Sequence, residues 1–106
     1  MLRAAHAFAE ASRSSQRYAF TLHKRIPVAA GLGGGSADAA AALRLLNRLS
    51  GGLLSEAELE RIGAGLGADV PACVRSRTAR GTGVGEALSD APSLGGLGVL
   101  LVNPRV

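Results

Sequence analysis

Apolar and polar positions recur along this chain with two different periods, and those periods predict its elements. Leu2 to Ala11 is alanine-rich and reads as a short helix, followed by a polar joint over Ser12 to Arg17. From Tyr18 to Lys24 the period falls to two, with Tyr18, Phe20 and Leu22 on one side and Ala19, Thr21 and His23 on the other. That alternation predicts a half-buried strand, which Pro27 ends. A glycine loop, Gly31 to Gly35, then leads into a helix over about Ser36 to Leu49. Its Ala39, Leu43, Leu46 and Leu49 share one face, Arg44, Asn47 and Arg48 lie on another, and Gly51-Gly52 stops it. Ser55 and Glu58 have the spacing of a capping box and open a further helix striped by Leu59, Ile62 and Leu66, with Gly65 and Gly67 at its end. "DVPACV" (Asp69 to Val74) and "LGVLLV" (Leu97 to Val102) read as short strands or hairpin pieces on either side of a glycine-containing joint. The fold class expected is α+β, in one domain over residues 1–106.

Composition narrows the partners. Hydrophobic residues make up 47% of the 106 positions and charged residues 19%, as in a soluble globular protein. Only three are aromatic, so the core must be built from Ala, Leu and Val, and platforms for stacking nucleic-acid bases are scarce. Twelve basic against eight acidic side chains give a net charge of +4, a mild preference for anions that Arg75, Arg77 and Arg80 concentrate locally; these three either attract an anionic substrate or form a solvated face. Cys73 is the only cysteine, which excludes an internal disulfide and a thiolate metal cluster and reads as a small buried apolar residue. No apolar run approaches the roughly 20 residues that span a bilayer. The expectation is a cytoplasmic protein with neither a nucleic-acid nor a membrane partner.

The chemistry is concentrated in "RIPVAAGLGGGSADAAAAL", Arg25 to Leu43. Glycines let backbone N–H groups approach a ligand with no Cβ in the way, and the first turn of the next helix adds unpaired N–H donors of partial positive charge. Together they form an anion cradle, most often for phosphate. Ser36 stands where an N-cap is expected, its hydroxyl available to the helix or to a phosphate. Asp38 falls in the expected first turn, either facing away from the loop or touching a metal ion. The loop has no Lys-Ser/Thr after its last glycine and no glycine at position 36, which excludes both a Walker A loop and the dinucleotide fingerprint.

Pro27 to Ala40, "PVAAGLGGGSADAA", resembles the second motif of the GHMP small-molecule kinases. "LGADVP" (Leu66 to Pro71) resembles the segment carrying that family's catalytic aspartate, and "GVGE" (Gly83 to Glu86) is a third match in order. The resemblance runs from about Phe20 onward. It implies a ribosomal protein S5 domain 2-like fold, with helices packed on a mostly antiparallel sheet. It also implies Mg²⁺ and ATP as cofactors, the triphosphate held by Lys24, Pro27, Val28, Ala29, Ala30, Gly31, Leu32, Gly33, Gly34, Gly35, Ser36 and Ala37. Asp69 is implied as the general base.

The G-L-G-G-G form is similar to the branch that phosphorylates the 2-hydroxyl of a cytidine-diphosphate-linked methylerythritol, in non-mevalonate isoprenoid synthesis. A homoserine- or mevalonate-type kinase, or a non-catalytic nucleotide-binding module, is the alternative. Neither the family's first motif, a strand bearing an active-site lysine, nor its third, another glycine-rich loop, is present in the sequence. The resemblance therefore implies part of a larger two-domain enzyme, inactive alone.

Overall fold

The computed structural model describes residues 1–28, 30–85 and 87–102. The expected nucleotide contact Ala29, the motif residue Glu86 and the terminal Asn103 to Val106 lie outside the described residues.

Alanine and leucine at helical spacing build the first two helices. Helix α1 spans Leu2–Ser12 and buries Ala4 and Phe8; α2 spans Gly34–Leu49 and buries Ala39, Ala40, Ala42, Leu43 and Leu46. The small alanines let α2 sit close to its neighbours, so its buried face is wider than four positions predict. Leu49, placed on that face by periodicity, is instead 65% exposed, because the helix ends there and Ser50 to Gly52 turn the chain away.

Helix α3, Glu56–Leu66, opens with the expected capping box: Glu58 N–H donates to the Ser55 hydroxyl at 3.3 Å, and the Ser55 N–H donates to Glu58 Oε2 at 2.8 Å. Gly65 lies inside its last turn, and Gly67 caps it. Asn47 of α2 fixes the entry to α3, accepting from the Leu54 N–H at 2.9 Å and donating to the Leu54 carbonyl at 2.8 Å.

The "DVPACV" stretch is a helix, not a strand: α4 spans Val70–Arg75 and buries Val70, Pro71 and Val74. Proline in a first turn lacks an N–H that would have no intrahelical partner there, so Pro71 at the second position favours helix over strand. The core of Ala4, Phe8, the α2 residues, Leu59, Val70 and Val74 lies between the four helices. Close approach of α3 and α4 depends on Gly63, where an added Cβ would stand 3.0 Å from Val70 Cγ1.

Strand β1, Ala79–Thr82, pairs antiparallel with β2, Ala87–Asp90, in the register Ala79 to Asp90 and Thr82 to Ala87. The chain is thus α+β, and among the described residues its sheet is this two-stranded hairpin. Two expected strands are absent from it. Tyr18 to Lys24 keeps the predicted alternation at its start, with Tyr18 and Phe20 packed on the core and Ala19 exposed, but its backbone has no ladder partner among the described residues and Leu22 is exposed. Leu97 to Val102 is exposed as well and has no ladder partner among the described residues. Alternation records which side chains face the core, whereas a strand also requires a neighbour to receive its N–H and C=O groups.

No helix among the described residues is long and apolar enough to cross a membrane.

Candidate functional site

The glycine loop folds into a rimmed concavity at the start of α2. Gly33, with φ of 66°, is the N-cap, so α2 begins at Gly34 and not at Ser36. The left-handed turn at Gly33 reaches a region that residues with a Cβ seldom occupy, which is why glycine stands there. Ser36 is consequently the third helical residue, not the cap, and its hydroxyl makes no capping bond. Asp38 falls in the second turn, not the first.

The Gly33 carbonyl accepts from the Ala37 N–H at 2.9 Å. Among the described residues the N–H groups of Gly34, Gly35 and Ser36 find no acceptor. These are the orphan donors at the positive end of the helix dipole. They stand beside a concavity of about 250 Å³ lined by Lys24, Ile26, Pro27, Val28 and Ala30 through Ser36. Of the expected triphosphate contacts, all described ones except Ala37 line it. Ala37 instead borders a neighbouring depression with His23, Lys24, Arg25, Ile26, Gly34 and Asp38. Ile26 was not anticipated from sequence; its signal was only its place between Lys24 and Pro27.

Lys24 connects the two depressions. Its ammonium forms an ion pair with Asp38, both side chains being about one-quarter exposed. Lys24 is therefore tethered, and Asp38 faces this lysine. Beside Gly34 the space is taken by Lys24 Nζ, 3.3 Å from where a Cβ would be, whereas around Gly31, Gly33 and Gly35 a Cβ would meet nothing within 4 Å. Among the described residues the space beside these three glycines is open.

Asp69 stands apart from this concavity, at the N-cap of α4. Val70 is helical and not extended as a residue before proline tends to be, so that tendency does not aim the carboxylate. The Asp69 side chain is exposed, makes no capping bond, and has no hydrogen-bond or ion-pair partner among the described residues. One turn on, burial pushes the Cys73 thiol above its usual range, the Asp69 charge adds to the rise, and Arg44 opposes it.

Arg75 and Arg77 are already paired. Arg75 forks onto Glu60 at 2.8 and 3.1 Å, and Arg77 Nη1 reaches Glu56 at 2.9 Å. Asp90 on β2 lies 3.4 Å from each guanidinium. This network ties α3 and α4 to the hairpin, so Arg75 and Arg77 are engaged within the protein, which neither of the two readings left open for them, anion attraction or a solvated face, describes; Arg80 is exposed. Among the described residues no group of three or more His, Cys, Asp and Glu side chains is placed to hold a metal ion.

The GHMP kinases N terminal domain model matches residues 1–77, which include the glycine loop, Lys24, Asp38 and Asp69. The 4-diphosphocytidyl-2-C-methyl-D-erythritol kinase of Rhizorhabdus wittichii is 52% identical over 108 residues, covering all of this chain and 37% of that protein. The enzymes of the same name from Granulibacter bethesdensis and Bradyrhizobium sp. (strain ORS 278) are 48% and 53% identical over 106 residues, each with 35% of its length covered. The chain thus spans about a third of the length of these curated relatives. With more than half of its residues matched by that domain, the chain belongs to the GHMP kinase family.

Proposed function

We propose that residues 1–106 are the nucleotide-binding part of a kinase that transfers the γ-phosphoryl of ATP to the 2-hydroxyl of 4-diphosphocytidyl-2-C-methyl-D-erythritol in the cytoplasm. The observation that carries this reading is the concavity at the start of α2, with three N–H groups that find no acceptor among the described residues and Lys24 in its lining. The names of the relatives supply the acceptor alcohol. An S5 domain 2-like arrangement of helices on a larger sheet, shared with the rest of such an enzyme, belongs to the same proposal.

Phosphoryl transfer asks a protein mainly for positioning and charge stabilisation. Here Gly31 to Ser36 would present N–H donors to phosphate oxygens, and Lys24 would add a positive charge held at the wall of the concavity. Mg²⁺, arriving on the phosphates, would neutralise part of their charge. Asp69 would accept the hydroxyl proton as the new oxygen–phosphorus bond forms and the bond to the departing ADP breaks. Its support is its place in the matched domain and a carboxylate with no competing partner among the described residues.

A chimera tests the transfer: these 106 residues replace the matching segment of the Rhizorhabdus wittichii enzyme, and ADP release is followed with ATP and the diphosphocytidyl alcohol. Alcohol-dependent release is expected, abolished by Asp69→Asn with ATP affinity nearly unchanged. A folded chimera without release would refute the assignment, and near-normal turnover in the variant would remove Asp69 from the role of base.

A further inference from the structure

We propose that Asp38 is a positioning residue that fixes Lys24 at the wall of the glycine concavity, so that nucleotide affinity depends on the two residues as a unit. The inference rests on the nucleotide reading of this concavity and adds to it a residue that touches no phosphate. Lys24 comes from a stretch with no ladder partner among the described residues, and its four-carbon stem is flexible. Untethered, its charge would be spread over many positions in solvent. Asp38 projects from the second turn of α2, the same rigid helix whose Gly34, Gly35 and Ser36 N–H groups find no acceptor among the described residues. Pairing with Asp38 therefore fixes the ammonium relative to those donors.

The placement of the two residues shows which one meets a ligand. Lys24 borders both depressions, whereas Asp38 borders only the second. The carboxylate holds the lysine from outside the concavity and keeps its own charge off the wall where phosphate would lie. An ammonium has three N–H donors, and one bond to Asp38 leaves two for a ligand.

The test is a double-mutant cycle read by calorimetric titration, with Mg-ATP, of the chimera that carries these 106 residues. Asp38→Asn is expected to weaken binding about two- to fivefold, the range for a partly exposed ion pair. In a Lys24→Met background the same substitution is expected to cost nothing further, because no charge remains to be held. An unchanged affinity for Asp38→Asn, or an equal loss with and without Lys24, overturns the positioning role and leaves the nucleotide reading standing. A folded chimera with both residues intact that binds no Mg-ATP overturns that reading and the inference with it.

Discussion

Arg44 on α2 donates from Nη1 to the carbonyl of Val74 on α4 at 3.2 Å, and the same nitrogen bonds the Cys73 carbonyl. A guanidinium at these carbonyls satisfies acceptors that the last turn of α4 leaves open and complements the negative end of its dipole. The contact joins the helix that starts at the glycine loop to the helix that starts after Asp69. Arg44→Met is expected to cost about 1–2 kcal/mol, since bonds to a charged donor are lost but the part-buried carbonyls can turn to water. Arg44→Lys should recover only part of this, because an ammonium lacks the planar fork. Urea midpoints of the two variants measure the difference.

Gly63 sets the spacing of α3 and α4. A methyl group there would stand 3.0 Å from Val70 Cγ1 and 3.4 Å from the Pro71 nitrogen. Val70 is only 2% exposed and has little room to yield. The gain in helix propensity from Gly to Ala is at most about 1 kcal/mol, whereas overpacking costs about 1–3 kcal/mol. Gly63→Ala is therefore expected to destabilise the chain on balance, and a raised melting midpoint would show that α4 shifts freely.

These two contacts mark the limit of what the sequence discloses. The helices around Ala39, Leu43 and Leu59 were legible because apolar periodicity and a capping box are local signals. The helix at Val70 was not, since six residues carry little periodicity and its stability comes from packing on Gly63 in the preceding helix and from Arg44, distant in sequence. The strand expected at Tyr18 to Lys24 failed for the converse reason: its alternation is real at Tyr18 and Phe20, but a ladder depends on a partner that alternation does not specify. The glycine cradle was legible in composition, yet the cap at Gly33 and the pairing of Lys24 with Asp38 depend on backbone geometry.

Arg75 and Arg77 are bound within the protein, so removing their charge should move stability and not nucleotide affinity. Glu60→Gln breaks the well-formed fork at 2.8 and 3.1 Å between two largely buried side chains and should lower the urea midpoint clearly. Asp90→Asn should lower it little, because Asp90 is mostly exposed and 3.4 Å from each arginine. Arg77→Gln should leave the calorimetric affinity for Mg-ATP unchanged. A clear loss of affinity would return this arginine to the ligand side of the protein.

The Ser55–Glu58 box gives stability a pH dependence of known sign. The Ser55 backbone N–H and then its hydroxyl bond the charged Glu58 carboxylate and hold its pKa below the ordinary value. A lowered folded pKa means that the unfolded chain takes up the proton first as pH falls. The contribution is therefore complete above the ordinary glutamate range and is lost as pH drops from about 5 through the lowered value. Glu58→Gln should reduce stability at neutral pH and flatten the acid limb of the midpoint-against-pH curve. An acid limb as steep as that of the wild type would assign the dependence to other carboxylates.

Cys73 offers a direct readout of the charge on Asp69. Burial raises the thiol pKa first, the Asp69 carboxylate adds to the rise, and Arg44 works against it. Because the thiolate is the reacting form, alkylation at neutral pH is expected to be slower than for a free thiol, whose pKa is about 8.5. Asp69→Asn removes only the second cause, so the apparent pKa of the alkylation profile should fall modestly and remain above the free-thiol value. Arg44→Met should shift it the other way. The two substitutions separate the local field from burial, which both leave in place. If Asp69→Asn leaves the profile unmoved while Arg44→Met raises it, the Asp69 carboxylate points away from the face of α4 that carries Cys73.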